Sequence, residues 1–118
     1  MANSIETAKE LLHRYWGFDA FKPGQEAVVT SILEGRDTLA LLPTGGGKSL
    51  CYQVPALAMD GLCLVVSPLI ALMKDQVSRL NRQGLSAASL VSGLSSTESE
   101  AIRVRADRGE LKFLYLSP

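Results

Sequence analysis

Bulk composition gives this chain little that points outward. Its 118 residues carry 12 Lys plus Arg against 12 Asp plus Glu, a formal net charge of +0. No whole-molecule field therefore draws it to nucleic acid or to an anionic membrane, and any nucleic-acid surface must be local. The two cysteines, Cys51 and Cys63, are separated by eleven residues, which fits no zinc pattern. Both stand among apolar neighbours, so buried free thiols in a reducing interior are expected. His13 is the only histidine and has no ligand partner by spacing, so no metal cluster is expected within the chain. Apolar runs are broken by Gly, Pro or charge well short of the ~20 residues that a membrane span needs. Residues 1–10 are acidic and polar where a secretory leader would need an apolar stretch, so neither membrane nor export is expected.

Against these absences stand 47% hydrophobic and 20% charged residues, a balance that excludes wholesale disorder. The length suffices for one core that buries about two thirds of the extended surface, and not for two. A machine that needs two lobes is thus excluded for these residues alone.

Apolar periodicity predicts a helix over residues 4–16, with Ile5, Ala8, Leu12, Tyr15 and Trp16 on one face, a Ser4 cap and a Gly17 stop. A loop with Phe18 and Phe21 follows. Pro23 suits the first turn of a second helix to about residue 34, burying Ala27, Val28 and Leu33. Residues 38–42 are continuously apolar between turns and read as a buried strand. Residues 48–59 read as a helix that Pro55 should kink or end early. Residues 62–66 form a second apolar strand, and Ser67 with Pro68 reads as a cap and first-turn proline. The helix they open carries Leu69, Leu72, Met73, Val77 and Leu80 inward. Residues 87–91 and 111–116 are further strands around a charged helix to about residue 108. That helix opens on a capping box, Ser95 with Glu98 or Thr97 with Glu100. Strands alternating with helices of this length predict an α/β class, a three-layer parallel sheet with right-handed crossovers.

The strongest chemical feature lies between the first strand and its helix: Pro43, Thr44, Gly45, Gly46, Gly47, Lys48 and Ser49. Phosphates carry dense charge and need many donors at once. Glycines let consecutive backbone N–H groups turn inward, and the helix that follows adds its own unpaired N–H groups and positive dipole end. Lys48 can reach β- and γ-phosphates, and the Ser49 hydroxyl can hold Mg²⁺. The strict pattern G-x-x-x-x-G-K-[ST] fails at one position, because Leu42 stands where its first Gly belongs. An acid that steers Mg²⁺ and positions water is also needed for hydrolysis. Asp60, Asp75 and Asp107 are the nearby candidates, and none directly follows an apolar strand.

Four ordered segments resemble the RecQ-type DNA helicases of helicase superfamily 2. Residues 15–25 (YWGFDAFKPGQ) resemble the family's motif 0, and residues 42–56 (LPTGGGKSLCYQVPA) its motif I. Residues 65–77 (VVSPLIALMKDQV) resemble motif Ia, and residues 114–118 (LYLSP) the opening of motif Ib. The family does not require Gly where Leu42 stands. It usually has Arg where Lys22 stands, and Lys keeps the charge without the planar fork.

The resemblance implies a P-loop NTPase (RecA-like) lobe, incomplete within these residues, and ATP with Mg²⁺ as cofactors. It assigns the nucleotide to Phe18 against the purine, Lys22 beside it, Gln25 at the adenine edge, and the loop from Pro43 through Ser49 with Leu50. Lys48 and Ser49 would serve catalysis, with Ser49 at the metal. Ser67, Pro68 and Lys74 would touch single-stranded or forked DNA. Residues 1–22 would form the N-terminal helix and adenine segment, and residues 23–118 the start of the ATP-binding lobe. A second motor lobe is expected downstream, together with an Asp-Glu-x-His acid motif, and the location would be intracellular. Two other readings fit the same residues: an RNA helicase or DNA translocase of the same superfamily, and a non-catalytic nucleotide- or partner-binding module.

Overall fold

The computed structural model describes residues 4–42 and 47–118. Its elements in chain order are α1 (Ile5–Trp16), α2 (Gln25–Leu33), α3 (Leu50–Ala58), β1 (Cys63–Val66), α4 (Ile70–Arg82), β2 (Ala87–Leu90), α5 (Ser96–Asp107) and β3 (Phe113–Leu116). They divide between two units, Met1–Asp60 and Gly61–Pro118.

The first unit is built on three helices. Ser4 is extended, and its hydroxyl accepts from Thr7 N–H at 3.2 Å, which starts α1. Gly17 ends it at φ 77, donating its N–H to the His13 carbonyl. The apolar stripe of α1 delivers Ala8 and Leu12 to a core with Val29 and Val54, and Trp16, Phe21, Leu33 and Leu50 pack around it. Pro23 does not open α2 as expected. Gly24 intervenes at φ 90 and the helix begins at Gln25, so its register buries Val29 and leaves Ala27 exposed. Pro55 does not end α3 early: it sits buried inside the helix, which runs three residues further to Ala58, and the bond its missing N–H forfeits is the one to the Cys51 carbonyl.

Residues 38–42 are the main correction. The expected buried strand has no ladder among the described residues, and Leu39 and Leu41 are 88% and 87% exposed. The two-residue alternation of a strand survives all the same. Thr38, Ala40 and Leu42 line a cavity of about 190 Å³ with Val28, Ile32, Lys48, Cys51 and Tyr52, while Leu39 and Leu41 face water. Side-chain alternation is local, but a strand exists only through a neighbour's hydrogen bonds, and none is supplied among the described residues.

The second unit holds a parallel sheet in the order β1-β3-β2, with Cys63, Phe113 and Ala87 in one register row and Leu64, Leu114 and Ala88 in the next. The β1-to-β2 crossover through α4 passes over β3, and the β2-to-β3 crossover through α5 returns. Right-handed connections in opposite directions place the two helices on opposite faces, which gives helix, sheet and helix layers. Ile102 and Ala106 of α5 pack on Ala88, Leu111 and Leu114. Phe113 and Tyr115 are buried on the other face, and α4 buries Met73 and Leu80.

The edge strand β1 leaves Leu64 and Val66 exposed, and Cys63 on its other face is half-buried, whereas Cys51 is buried. Both thiols are free, and burial raises both above the ordinary thiol range, with Lys112 pulling Cys63 partly back. The opposite edge is clamped at its start: Asn81 Oδ1 accepts from Ala87 N–H at 3.0 Å and Asn81 Nδ2 donates to the Ala87 carbonyl at 3.1 Å. Of the two possible capping boxes on α5, Ser95 with Glu98 forms. Ser95 Oγ accepts Glu98 N–H at 3.1 Å, and Glu98 Oε1 accepts Ser95 N–H at 3.0 Å.

Two outcomes follow from these contacts. Asn81→Ala removes both bonds to Ala87 and should lower unfolding free energy by about 1–2 kcal/mol, read as a shift in the denaturant midpoint at unchanged slope. Glu98 carries a carboxyl lowered from its ordinary value by the Ser95 backbone and side-chain hydrogen bonds. A lowered folded value means stabilisation that is present above the unfolded value and lost as pH falls through the folded one. The Ser95 amide resonance should titrate below the ordinary glutamate range, and Glu98→Gln should abolish that titration.

Candidate nucleotide site and nucleic-acid contacts

The loop between α1 and α2 and the residues leading into α3 meet at one side chain. Gln25, the first residue of α2, is 1% exposed. Its Oε1 accepts the Lys22 N–H at 2.7 Å, and its Nε2 donates to the Gly47 carbonyl at 3.2 Å. The left-handed Gly24 turns the chain so that the carboxamide reaches back to Lys22 and across to Gly47 at once. Gly47 itself sits at φ 72, and a Cβ there would fall 2.4 Å from Gln25 Nε2. Glycine is required at this position on both counts, by backbone conformation and by space.

Pro43, Thr44, Gly45 and Gly46 lie outside the described residues. Beyond them, Lys48 and Ser49 form the turn into α3, whose internal bonding begins with Cys51 N–H to the Lys48 carbonyl and Gln53 N–H to the Ser49 carbonyl. The N–H groups of Lys48, Ser49 and Leu50 therefore lead the helix end. Lys48 is exposed, and the first turn of α3 contains no carboxylate. Ser49 makes no side-chain capping bond to α3. Leading N–H groups, a positive dipole end, an exposed ammonium and no competing acid are what a phosphate group needs, so the residues present fit a nucleotide. Phe18 is 48% exposed on the loop after α1. Phe21 instead packs against the helical core. His13 Nδ1 lies 3.2 Å from Asp19 Oδ1 and ties the end of α1 to the same loop, with both groups largely in water.

In the second unit, Ser67 does not cap α4 as the sequence suggests. Its N–H bonds the Leu116 carbonyl at 3.0 Å, and its hydroxyl accepts Leu69 N–H at 3.1 Å, closing a turn before the helix starts at Ile70. Pro68 is exposed in that turn, and Lys74 is exposed on α4. Sequence reasoning missed the part played by the Gly47 carbonyl. A contact 22 residues apart leaves no periodic trace in one dimension.

Because the Gln25 carboxamide and the absent Gly47 Cβ compete for one space, substitutions at the two positions should be non-additive. Gln25→Ala alone should cost about 2 kcal/mol from its lost bonds to Lys22 and Gly47 and a small cavity. Gly47→Ala should cost at least the ~1–2 kcal/mol of a left-handed alanine. The double variant should be less destabilised than the sum, as measured by a denaturation double-mutant cycle.

A family model described as DEAD/DEAH box helicase matches residues 22–118. An ATP-dependent DNA helicase RecQ of Synechocystis sp. is 51% identical over 113 residues, covering 96% of this chain and 24% of that protein. The ATP-dependent DNA helicase RecQ of Pasteurella multocida is 48% identical over 113 residues, 96% of this chain and 18% of its own length. A probable ATP-dependent DNA helicase RecS of Bacillus subtilis is 50% identical over 111 residues, 93% of this chain and 22% of its own. The chain thus spans less than a quarter of the length of these curated relatives. A family match over most of the chain, on a glycine loop leading into a helix and a parallel α/β sheet, makes this chain a member of the DEAD/DEAH box helicases, of their RecQ-like branch.

Proposed function

We propose that this chain supplies the nucleotide-binding part of an ATP-dependent DNA helicase of the RecQ type, acting in the 3′-to-5′ sense on single-stranded and forked DNA. The observation that carries the reading is the Gln25 bridge, which joins the loop bearing Phe18 and Lys22 to the last glycine before Lys48. In this reading residues 1–22 form the adenine segment and residues 23–118 begin the ATP-binding lobe. Phe18 would lie against the purine, with Lys22 beside it. Gln25 would meet the adenine edge by exchanging one of its present bonds. Pro43, Thr44, Gly45, Gly46 and Gly47 would cradle the phosphates with the N–H groups that lead into Leu50. Lys48 would reach the β- and γ-phosphates, and the Ser49 hydroxyl would hold Mg²⁺. When bound, ATP–Mg²⁺ supplies the phosphoanhydride whose cleavage drives a motor.

Ser67, Pro68 and Lys74 would contact the DNA backbone in this reading. Since the Ser67 and Leu69 N–H groups are already bonded, contact there would fall to the N–H groups that follow and to Lys74. Among the described residues, no helix is long and apolar enough to cross a membrane.

Titration of the folded chain with ATP–Mg²⁺ should shift the amide resonances of Gly47, Lys48, Ser49 and Leu50, and Lys48→Ala should weaken binding on the order of a hundredfold, the loss of a charged phosphate contact. Unmoved amides in a folded sample would remove the motor from the proposal. Phosphate release by these residues alone should not rise with single-stranded DNA, because Asp60, Asp75 and Asp107 do not stand where a water-positioning acid is needed. Turnover abolished by Lys48→Ala would contradict that.

A further inference from the structure

We propose that the groove between α4 and the outer edge of β2 is a phosphate-binding track for single-stranded nucleic acid, with Arg82, Ser78 and Ser89 acting beside Lys74. The inference rests on the nucleic-acid reading above and extends it to residues that reading leaves out. The groove encloses about 500 Å³ and is lined by Lys74, Val77, Ser78, Asn81, Arg82 and Ser89. Lys74, Ser78 and Arg82 are spaced by four along α4, so they form one stripe on the helix, spanning about 12 Å of rise. Buried Met73 and Leu80 hold the opposite side of the helix against the sheet, which fixes where the stripe points.

Charge in the groove is of one sign. The only carboxylate on α4 is Asp75, one position off the stripe, and it pairs with Arg79 at 3.4 Å. No carboxylate lines the groove, and among the described residues neither Lys74 nor Arg82 has an ion-pair partner. The floor adds donors. Asn81 bonds both the N–H and the carbonyl of Ala87, so Ala87 faces away from β3. By the alternation of a parallel ladder Ser89 turns its N–H and carbonyl to the same open edge, and its side chain lines the groove with Lys74 and Arg82. Asn81 is held by Ala87, which keeps the groove wall in place.

Two unpaired cations, two hydroxyls and an edge N–H with no acid match a phosphodiester chain better than an acidic peptide. A peptide would add to the edge as a strand, and Asn81 already occupies the edge groups of Ala87, leaving Ser89 as the one outward-facing residue of the short β2.

The test is binding of a fluorescent oligodeoxythymidylate to the folded chain across a salt series, with amide spectra of the same samples. The expected result is a shift of the Ser89 amide on saturation and a salt slope shallower by about 0.7 in Arg82→Ala, one single-strand phosphate contact, with Arg82→Lys restoring the slope. If oligonucleotide binds with the unaltered slope in Arg82→Ala and leaves Ser89 unmoved, the track is wrong while the helicase reading stands. If the chain binds ATP–Mg²⁺ through Lys48 and no oligonucleotide, the track and the DNA-contact part of that reading both fall. A polyglutamate peptide that shifts Ser89 where the oligonucleotide does not would assign the groove to an acidic peptide and overturn the proposal.

Discussion

The buried carboxamide of Gln25 is the constraint on which the first unit's chemistry depends. One donor and one acceptor on a single planar group are shared between the Lys22 backbone N–H and the Gly47 carbonyl. A carboxamide carries its donor and its acceptor on separate atoms of one planar group, whereas a carboxylate has no donor and an ammonium no acceptor. Burial raises the stakes. A buried polar group that loses its partner bears the full desolvation penalty, so the two loops hold or fail together. The geometry also dictates Gly47, because the carboxamide stands where any side chain at that position would begin.

The bridge unites what the sequence presents as separate segments. Phe18 and Lys22 come from the loop after α1, Gln25 from the start of α2, and Lys48 and Ser49 from the turn into α3. The helical core of Ala8, Leu12, Val29 and Val54 holds the three helices that carry them, with Trp16, Phe21 and Leu50 packed against it. A ligand that exchanged a Gln25 bond would be felt at the Gly47 carbonyl. In the proposed function, the base-facing segment and the residues before Lys48 would thereby be coupled through one residue.

The sheet unit follows a different logic. Its strands are four residues each and its two edges are treated unequally. The β2 edge is closed at Ala87 by a side chain that imitates a strand, and its one-signed groove is made by a helix stripe that packing has no use for. The β1 edge carries Leu64 and Val66 into water with no charge or proline to guard it. Leu39 and Leu41 in the first unit are exposed in the same way. These apolar positions explain why residues 38–42 and the β1 residues both look like interior strands in the sequence. Their side chains have the composition of buried strands, whether or not hydrogen-bonding neighbours are at hand.

Much was legible in one dimension because it is local. Helix caps at Ser4 and Ser95, the stop at Gly17 and the alternation of strand and helix arise from interactions within a few residues. Register and partnership were not legible. The entry to α2 turned on the left-handed Gly24, Ser67 spent its hydroxyl on a turn and its N–H on Leu116, and residues 38–42 kept a strand's alternation without its ladder. The sequence alone determined which residues prefer helix, strand or turn, since these are set by backbone sterics and short-range hydrogen bonds. Only the tertiary structure decided that Gln25 reaches Gly47 and that Ser89 faces the Lys74–Arg82 stripe, since such contacts depend on packing that brings distant segments to within a hydrogen bond.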